Sequence, residues 1–283
     1  MKNSEIFLVF AEKTIDNNRF LVRAKELKVK MMPLFERDLT VILRKNTTRV
    51  LFKGRDITLR ILCGRIIFRG KGRAKNTVIA LAKFAEQNRI PFLDSVASIA
   101  LSGKTCYLPN VKLQHIYHIP TIFCEQVSDL PKKVWFKSPF LIKPACGRRG
   151  EDVRVVQKIS DIPKHPWKAV LIQPKLNFDA EYRVLVLKNR ILAIAEKIKN
   201  KGSLVANFSR GSQFHSTNLP TVIEKEAIAI CQKIGVEIGG VDLAKIGKHF
   251  YLLEVNRACG ICGVESSTGV DASGEIIKFL LSK

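Results

Sequence analysis

The hydrophobic and polar positions of the first hundred residues follow two alternating periods. The apolar run at 5–10 has the length of a buried strand, and residues 18–30 carry apolar side chains at helical spacing. The same patterns predict strands at 39–43, 49–52, 60–62 and 65–69, and a helix at 74–88. Strands that alternate with helices in this way predict an open α/β sheet.

Longer strands dominate the pattern from residue 139 onward. Apolar runs predict strands at 139–144, 169–173, 181–187 and 191–196, a helix at 221–234 and a final amphipathic helix around 276–281. Gly235 directly follows the stripe of the longer helix, which is the usual position of a residue that ends a helix.

Two apolar runs around residues 247–249 predict an antiparallel hairpin. With those three residues as the loop, Asp242 in the first run lies directly opposite Glu254 in the second. Asn256 lies two residues farther on, so it points to the same face of the sheet. These three polar residues occupy positions where a buried strand would ordinarily carry Val or Ile.

Carboxylates placed opposite each other on neighbouring strands repel and destabilise the pair. A divalent cation between Asp242 and Glu254 removes the repulsion. Carboxylate and amide oxygens are the donors that Mg²⁺ or Mn²⁺ prefers, with phosphate oxygens and water completing the shell. The alternative is an edge hairpin whose polar residues face water.

A large positive charge narrows the range of partners. The chain has 48 Lys and Arg residues against 25 Asp and Glu, a net charge of +23, and the excess is spread along its whole length. Such a field attracts polyanions, whether nucleic acids, ribosomes, acidic peptides or nucleotides. Residues 53–75, with eight basic side chains and one acidic, are the best candidate patch. The alternative is an ordinary solvated face.

Other features of the composition concern the compartment. Seven cysteines, an odd number in mostly apolar surroundings, favour reduced thiols in the cytoplasm over a disulfide framework. No apolar run is long enough to cross a bilayer, which predicts no membrane span. The N-terminal apolar run lacks a cleavage site and is interpreted as a first strand.

A lysine lies inside the predicted strand 139–144, and a loop bracketed by glycines follows it. Lys143 precedes Gly147 and Gly150, with two arginines between the glycines. Glycines let backbone N–H groups approach a phosphate, and the basic side chains neutralise its charge. This arrangement fits a phosphate site, and a simple hairpin turn is the alternative.

The ordered set of motifs resembles the ATP-grasp ligases, and most closely the RimK-like branch that includes ribosomal-protein glutamate ligases. The resemblance runs from about residue 91 to the C-terminus and rests on Lys104, IKPACGRRGEDV, Gln173, EYRVLVL, Asn207 with Arg210, GVDL and LEVNRACGICGVESSTGVD. It implies an α/β protein: an N-terminal pre-ATP-grasp domain at 1–100, then a two-subdomain ATP-grasp fold at 101–283. The subdomains would meet near residue 170.

The resemblance also implies roles for individual residues and a two-step reaction. A substrate carboxylate would attack the γ-phosphate of ATP, and an amine would then displace phosphate to form an amide. ATP would be held by Lys104, Lys143, Gly147, Gly150, Lys175, Leu176 and Glu181; the transferred phosphate would face Arg183, Asn207 and Arg210; two Mg²⁺ or Mn²⁺ ions would be held by Asp242, Glu254 and Asn256.

Three departures from the family pattern concern the substrates. The hinge reads Gln173-Pro174-Lys175, the phosphate loop carries two arginines, and the family's Asn-x-Ser-Pro-Gly is Asn256-Arg257-Ala258-Cys259-Gly260 in this chain. The CxxC at 259–262 is a weak zinc or redox motif because it lacks a second pair and a thioredoxin-like context.

Three functions follow as hypotheses. The first is ligation of an amino acid to an acidic peptide or protein, with a ribosome-associated acceptor left open. The second is a biosynthetic ligase of a small amino acid or carrier-linked substrate. The third is a polyanion- or RNA-binding protein that keeps an ATP-grasp frame without turnover. Whether the chain forms a homo-oligomer is left open.

Overall fold

The computed structural model describes residues 5–45, 47–70, 76–100, 112–126, 130, 134–144, 153–162, 169–198 and 213–283. Throughout these parts of the chain the architecture is α/β, as the alternating patterns predict. None of the helices described is both long enough and apolar enough to span a bilayer.

A parallel four-stranded sheet forms the N-terminal part. Strands β1 (Ile6–Phe10) and β6 (Arg65–Phe68) lie side by side, flanked by β2 (Met31–Phe35) and β7 (Phe92–Leu93). All five residues of β1 are buried because the strand is central and covered on both faces. Its alternate side chains enter two cores, one shared with α1 (Ile15–Glu26) and one with α3 (Asn76–Gln87).

Helix α1 begins and ends earlier than the pattern predicts. Thr14 caps it, because its Oγ1 accepts a hydrogen bond from the N–H of Asn17 at 3.1 Å. Two residues after Glu26 the chain turns at Lys28, which adopts φ +56°. Strand β2, which the sequence pattern did not predict, follows and contains Pro33, a residue tolerated in a strand at the edge of a sheet.

An antiparallel three-stranded sheet lies beside the parallel one. It consists of β3 (Leu39–Arg44), β4 (Thr47–Phe52) and β5 (Arg55–Asp56). The strand predicted at 60–62 is wrong, because Thr58–Leu62 forms the short helix α2, which buries Ile61. The side chain of Asp56 accepts a hydrogen bond from the N–H of Thr58 at 2.9 Å and turns the chain into this helix.

Two further sheets follow. Their strands are β8 (Ile116–His118), β9 (Ile122–Cys124), β10 (Phe140–Pro144), β11 (Arg154–Val156), β12 (Val170–Pro174), β13 (Ala180–Leu187), β14 (Arg190–Ile198), β15 (Gln213–Ser216), β16 (Ile238–Ile246) and β17 (His249–Asn256). One sheet has four strands in the order β11-β10-β12-β9, and the other has six in the order β15-β14-β13-β16-β17-β8. The remaining helices are α4 (Val96–Ala100), α5 (Thr221–Lys233), α6 (Cys262–Thr268) and α7 (Ala272–Ser282).

The two faces of β13 have different neighbours. Val184 and Val186 pack with α5 in one core. Leu185 and Leu187 point the other way, into a core shared with α1, α6, α7 and β1. Each fully buried Leu or Val stabilises the fold by about 1.5–3 kcal/mol, so this shared core ties the N-terminal sheet firmly to the C-terminal segment. The domain boundaries near residues 100 and 170 stay predictions.

Ion pairs reinforce the same junction. Arg19 on α1 pairs with Glu265 on α6 at 2.6 Å. Arg23, one turn farther along, pairs with Asp271 at 2.6 Å, and Asp271 also caps α7. The face of β13 that enters the shared core at Leu185 therefore has a fixed position relative to the N-terminal sheet.

Candidate active site

The hairpin β16–β17 has a different turn from the one predicted, but the same pairing. The three-residue loop is wrong: a two-residue turn replaces it, in which Gly247 adopts φ +57°. A β-bulge farther along inserts one extra residue into β17. The two differences cancel, so Asp242 faces Glu254, as predicted.

A buried ion-pair cluster lies on the same face of the six-stranded sheet. Asp242 is 3% exposed, and Arg183 on the neighbouring strand β13 lies directly opposite it. The guanidinium donates from both Nε and Nη2 to the two carboxylate oxygens, the latter at 2.7 Å. Lys197 Nζ approaches Asp242 Oδ2 to 2.9 Å from β14. One carboxylate therefore holds two cations in a nearly dry site.

The positive charge of Arg183 is stabilised by the neighbouring Asp242 carboxylate. Burial by itself lowers the pKa of Arg183, but the Coulombic attraction and hydrogen bonds of Asp242 raise that pKa well above its usual range. The guanidinium therefore stays charged at every pH at which the protein folds. A fixed cation such as this guanidinium can stabilise a phosphate group as negative charge develops on it.

The donor set of Asp242, Glu254 and Asn256 fits a divalent cation. Asn256 Nδ2 lies 2.8 Å from Glu254 Oε1 and 3.4 Å from Asp242 Oδ2, so the amide group of Asn256 contacts both carboxylates. Each carboxylate oxygen has two lone pairs, which leaves acceptor capacity beside the bonds to Arg183. Within the described residues no group of three or more Asp, Glu, His or Cys side chains is placed to hold a metal, so this set relies on the amide of Asn256 as its third member.

A small cavity lies next to the ion-pair cluster. Its volume is about 220 Å³, and its walls include Phe178, Glu181 and Lys197. Glu181 is buried on β13, at the position opposite Lys197 on the neighbouring strand β14. The cavity therefore joins the predicted ribose carboxylate to the cation that contacts Asp242.

The hinge residues leave one buried acceptor open. Gln173 is 3% exposed; its Nε2 donates to Thr121 Oγ1 at 2.9 Å, whereas its Oε1 is buried and accepts no hydrogen bond within the described parts of the chain. The N–H of Lys175 is already donated to Pro139 O at 2.8 Å. A ligand at this edge would therefore find Gln173 Oε1 and the backbone of Leu176 rather than the N–H of Lys175.

The predicted site residues fall into three groups. A chain of side-chain contacts runs from Arg183 through Asp242 and Asn256 to Glu254, and Glu181 lines the adjoining cavity. Lys143 lies half-buried in the four-stranded sheet, and Lys175 and Leu176 follow that sheet. Outside the described residues lie Lys104, Gly147, Gly150, Asn207 and Arg210.

Two contributors were missed in the sequence, Lys197 and the side chain of Gln173. The alternation that turns Ala193 and Ala195 inward on β14 also turns Lys197 inward, and a lysine on the buried face of a strand is a usable signal. Gln173 was recognised as part of a motif, but its orphaned oxygen depends on which partner Nε2 finds, and that is a tertiary contact.

The loop after Asn256 belongs to the junction with the N-terminal sheet. Arg257 is 9% exposed and donates to Phe68 O at 2.9 Å and to Gly70 O at 2.8 Å. Arg69 Nη2 in turn donates to Cys259 O at 2.7 Å. The residues that replace the family's usual loop therefore fasten the end of β17 to the end of β6.

The CxxC motif lies in this junction and contains free thiols. Burial raises the pKa of Cys259, and burial with the nearby Asp16 carboxylate raises the pKa of Cys262 to about 12. Thiols with raised pKa values are poor nucleophiles and poor metal ligands at neutral pH. The geometry thus favours a packing role for both cysteines.

Similarity to known proteins agrees with this arrangement. The RimK-like ATP-grasp domain family matches residues 98–280. A probable alpha-L-glutamate ligase of Pasteurella multocida is 27% identical over 224 residues, covering 76% of this chain and 71% of the relative. The ribosomal protein bS6–L-glutamate ligase of Salmonella paratyphi B is 26% identical over 219 residues, covering 71% and 70%.

The fold also matches solved structures. The structure of the ATP-grasp ligase PsnB complexed with a phosphomimetic variant of its minimal precursor, Mg and ADP superposes with a TM-score of 0.73 at 13% identity, over 99% of this chain and 98% of that one. The resemblance that the sequence motifs suggested is thereby confirmed, and with it the α/β ATP-grasp fold. The chain belongs to the RimK-like family of ATP-grasp carboxylate–amine ligases.

Proposed function

We propose that this protein ligates an amino acid to an acidic peptide or protein, using ATP and an acyl-phosphate intermediate. The observation that carries the proposal is the buried cluster of Arg183, Lys197 and Asp242, with Glu254 and Asn256 on the same sheet face. Two cations around a buried carboxylate, with a half-buried carboxylate beside them, are suited to binding a polyphosphate together with its metal ions.

Two Mg²⁺ or Mn²⁺ ions are proposed at Asp242, Glu254 and Asn256. When bound there, such ions would neutralise charge on the phosphate oxygens and make the γ-phosphate more electrophilic. The amide of Asn256 would turn its oxygen toward the ion, because in the present arrangement Nδ2 faces both carboxylates. Lys197 and Arg183 hold the Asp242 carboxylate in place by direct contact, and both cations are proposed to reach phosphate oxygens as well.

The nucleotide is proposed to lie beside the hinge. The amino group of adenine would donate to the orphaned Gln173 Oε1, and the ring edge would meet the backbone at Lys175 and Leu176. Glu181 would accept hydrogen bonds from the ribose hydroxyls at the mouth of the cavity. Phosphate contacts are assigned to Lys104, Lys143, Gly147 and Gly150.

The bond changes follow from these positions. An oxygen of the acceptor carboxylate attacks the γ-phosphorus and ADP leaves, forming an acyl phosphate. The amine nitrogen of the incoming amino acid then attacks the acyl carbon, loses a proton, and phosphate leaves. Arg183, Lys197, Asn207 and Arg210 would stabilise the negative charge on the transferred phosphate; positioning and charge neutralisation suffice without a protein nucleophile.

The substrate class rests on charge and on the relatives. A net charge of +23 favours an acidic macromolecular acceptor. Both relatives are named as glutamate ligases, one of them acting on a ribosomal protein, and PsnB binds a peptide precursor. A ribosome-associated acceptor is consistent with these names. A small amino acid or carrier-linked substrate is the second candidate, and insensitivity of turnover to salt would favour it.

ADP release and product mass together test this function. Purified protein is incubated with ATP, Mg²⁺, free amino acids and a panel of acidic and neutral peptides. We expect ADP release that depends on an acidic peptide and a peptide mass increased by one amino-acid residue. Glu254→Ala should lower ADP release about a hundredfold or more, whereas Glu86→Ala, an exposed acid on α3, should leave it unchanged.

A different experimental result would contradict each part of the proposal. Equal turnover by Glu254→Ala and the wild type would refute the metal assignment. Ligation restricted to free amino acids would point to the biosynthetic alternative. Tight RNA binding with steep salt dependence and no nucleotide binding would point to a polyanion-binding protein without turnover.

A further inference from the structure

Positive charge is concentrated on the three-stranded sheet, away from the candidate active site. Between positions 37 and 60 the chain has seven basic residues and two acidic ones. These residues include strands β3, β4 and β5 and the start of α2, and they are called the basic sheet below. The two acids are already in ion pairs, Asp38 with Arg37 and Asp56 with Arg49, each at 3.8 Å.

Several basic side chains of the basic sheet have no countercharge. Arg44, Lys45 and Arg55 are exposed and form no ion pair within the part of the chain that the structure describes. Arg44 and Lys45 lie at the tip of the β3–β4 hairpin. Unpaired charges at one projecting tip produce a local field that a negatively charged partner would neutralise.

Exposed leucines accompany these charges. Leu43, next to Arg44, is 72% exposed, and Leu59 on α2 is 78% exposed, a larger fraction than any other big apolar side chain in the described residues. Thr58 bonds to the backbone of Val50, which holds Leu59 beside the sheet. A solvated face that serves only solubility does not need large exposed leucines between its charges.

The edge of the sheet distinguishes a polypeptide from a nucleic acid. Within the described residues β3 has a strand partner on one side only, so its other edge can accept an extended chain by main-chain hydrogen bonds. Single-stranded RNA is usually held by exposed aromatic rings. The basic sheet contains one aromatic residue, Phe52, which is half-buried with Lys53 Nζ 5.7 Å from its ring centre.

We propose that the basic sheet is a docking surface for an acidic, extended segment of the acceptor polypeptide, bound outside the active site. The inference rests on the proposed function only for the identity of that polypeptide as the acceptor. Charge supplies attraction and orientation, Leu43 and Leu59 supply apolar contact, and the β3 edge supplies backbone partners.

Fluorescence anisotropy without ATP tests docking separately from catalysis. The probe is a labelled peptide of alternating Glu and Val, with a Gln-for-Glu version as its neutral control. Arg44→Gln/Lys45→Gln/Arg55→Gln should weaken binding of the acidic peptide about tenfold or more, since three charges at the contact are lost. A matched variant that removes the same number of charges elsewhere, Lys25→Gln/Lys225→Gln/Lys278→Gln, should change it less than about threefold.

A second variant addresses the apolar contact without changing the charge. Leu43→Asn/Leu59→Asn should also weaken binding, by about threefold or more, with little effect on folding because both side chains are exposed. Equal losses of peptide binding in the basic-sheet charge variant and the matched charge variant would overturn the proposal. It would also be overturned if the basic-sheet charge variant lost binding to a labelled single-stranded RNA but still bound the acidic peptide. ADP release at a saturating concentration of acidic peptide should be unchanged in both basic-sheet variants. If the wild type releases no ADP with any substrate, the proposed function fails while the anisotropy result still decides docking.

Discussion

Two groups of buried charge in this protein have different kinds of partner. In the candidate site, Asp242 is bound by the side chains of Arg183 and Lys197. At the junction with the N-terminal sheet, Arg257 and Arg69 donate mainly to backbone carbonyls. Four of these five residues are less than one-tenth exposed, and the side chain of Arg183 is 12% exposed. Similar burial therefore conceals two different arrangements.

The difference indicates what each group does. Backbone partners are fixed by the fold, so the junction arginines hold two parts of the chain in register. Side-chain partners can be exchanged, because a phosphate can take the place of a carboxylate on Arg183 or Lys197. Buried side-chain pairs contribute little net stability when intact, yet removal of one partner leaves an uncompensated charge. We therefore expect junction variants to lose mainly stability. Site variants should lose activity, and they should lose stability as well only where a buried cation is left without a partner.

Asp242→Asn should have the largest effect. It removes a proposed metal ligand and leaves Arg183 and Lys197 together without a countercharge. We expect ADP release to fall about a thousandfold, and the free energy of unfolding to fall by about 3–5 kcal/mol. Urea denaturation and ADP release measured on the same preparation check both values.

A double variant separates these two losses. Adding Lys197→Met to Asp242→Asn removes one of the two stranded cations, so part of the stability should return while activity stays lost. Recovery of activity together with stability would contradict a functional role for Asp242 and place the site in the same structural class as the junction.

Arg257→Met should come next and act mainly on stability. It removes two buried hydrogen bonds, to Phe68 O and Gly70 O, and leaves both carbonyls without that donor. Loss of buried hydrogen bonds to a charged group predicts a decrease of about 2–4 kcal/mol in the free energy of unfolding. Circular dichroism during urea denaturation measures it. ADP release per folded molecule should fall much less than in Asp242→Asn. A thousandfold loss of ADP release at unchanged stability would mean that Arg257 acts in the site rather than in the junction.

Lys197→Met should affect ATP turnover more than folding. The methionine keeps the buried stem, and Arg183 still neutralises Asp242, so we expect a stability change below about 1 kcal/mol. Loss of one phosphate-directed cation predicts a decrease of about tenfold to a hundredfold in ADP release. Lys197→Arg should recover most of it, and Lys225→Met on α5 is the control. A variant with normal turnover would reduce Lys197 to a structural ion pair.

Much of the site was predictable because its signal is local. Strand alternation alone places Asp242, Glu254 and Asn256 on one face, and that placement holds although the predicted turn was wrong. The pairing survived because a shorter turn and a β-bulge offset each other, and a bulge has no reliable signature in a single sequence. Lys197 escaped because its partner is 45 positions away in sequence and lies diagonally across two strands.

The fold shows the same limit. Buried strands such as β1 were predicted from their apolar runs, whereas β2 and α6 were not, because their stability comes from tertiary packing rather than from their own pattern. The segment at 60–62 has strand-like alternation, but the hydrogen bond from Thr58 to Asp56 starts a helix there. Local competition of this kind is decided by contacts that periodicity does not contain.

Asp94 is a further buried charge, a carboxylate whose direct partners are backbone N–H groups. Its Oδ1 accepts hydrogen bonds from the N–H groups of Glu237 at 2.6 Å and Ile238 at 2.9 Å. Burial raises the pKa of Asp94 from 3.8 to about 6, despite the opposing effects of the Arg257 charge and these hydrogen bonds. The folded state therefore holds the proton more tightly than the unfolded chain. The resulting stabilisation is complete below about pH 4 and is lost as the pH rises through about 6.

Asp94→Asn should remove this pH dependence while keeping the oxygen that accepts both bonds. Between pH 5 and 7 the wild type should lose roughly 1 kcal/mol of stability relative to the variant, measured by urea denaturation at each pH. Parallel pH profiles for the two proteins would mean that two backbone N–H donors offset the burial of the Asp94 carboxylate. A divergence of the expected sign would show that backbone hydrogen bonds alone do not offset this burial, whereas Asp242 is contacted directly by the cations of Arg183 and Lys197.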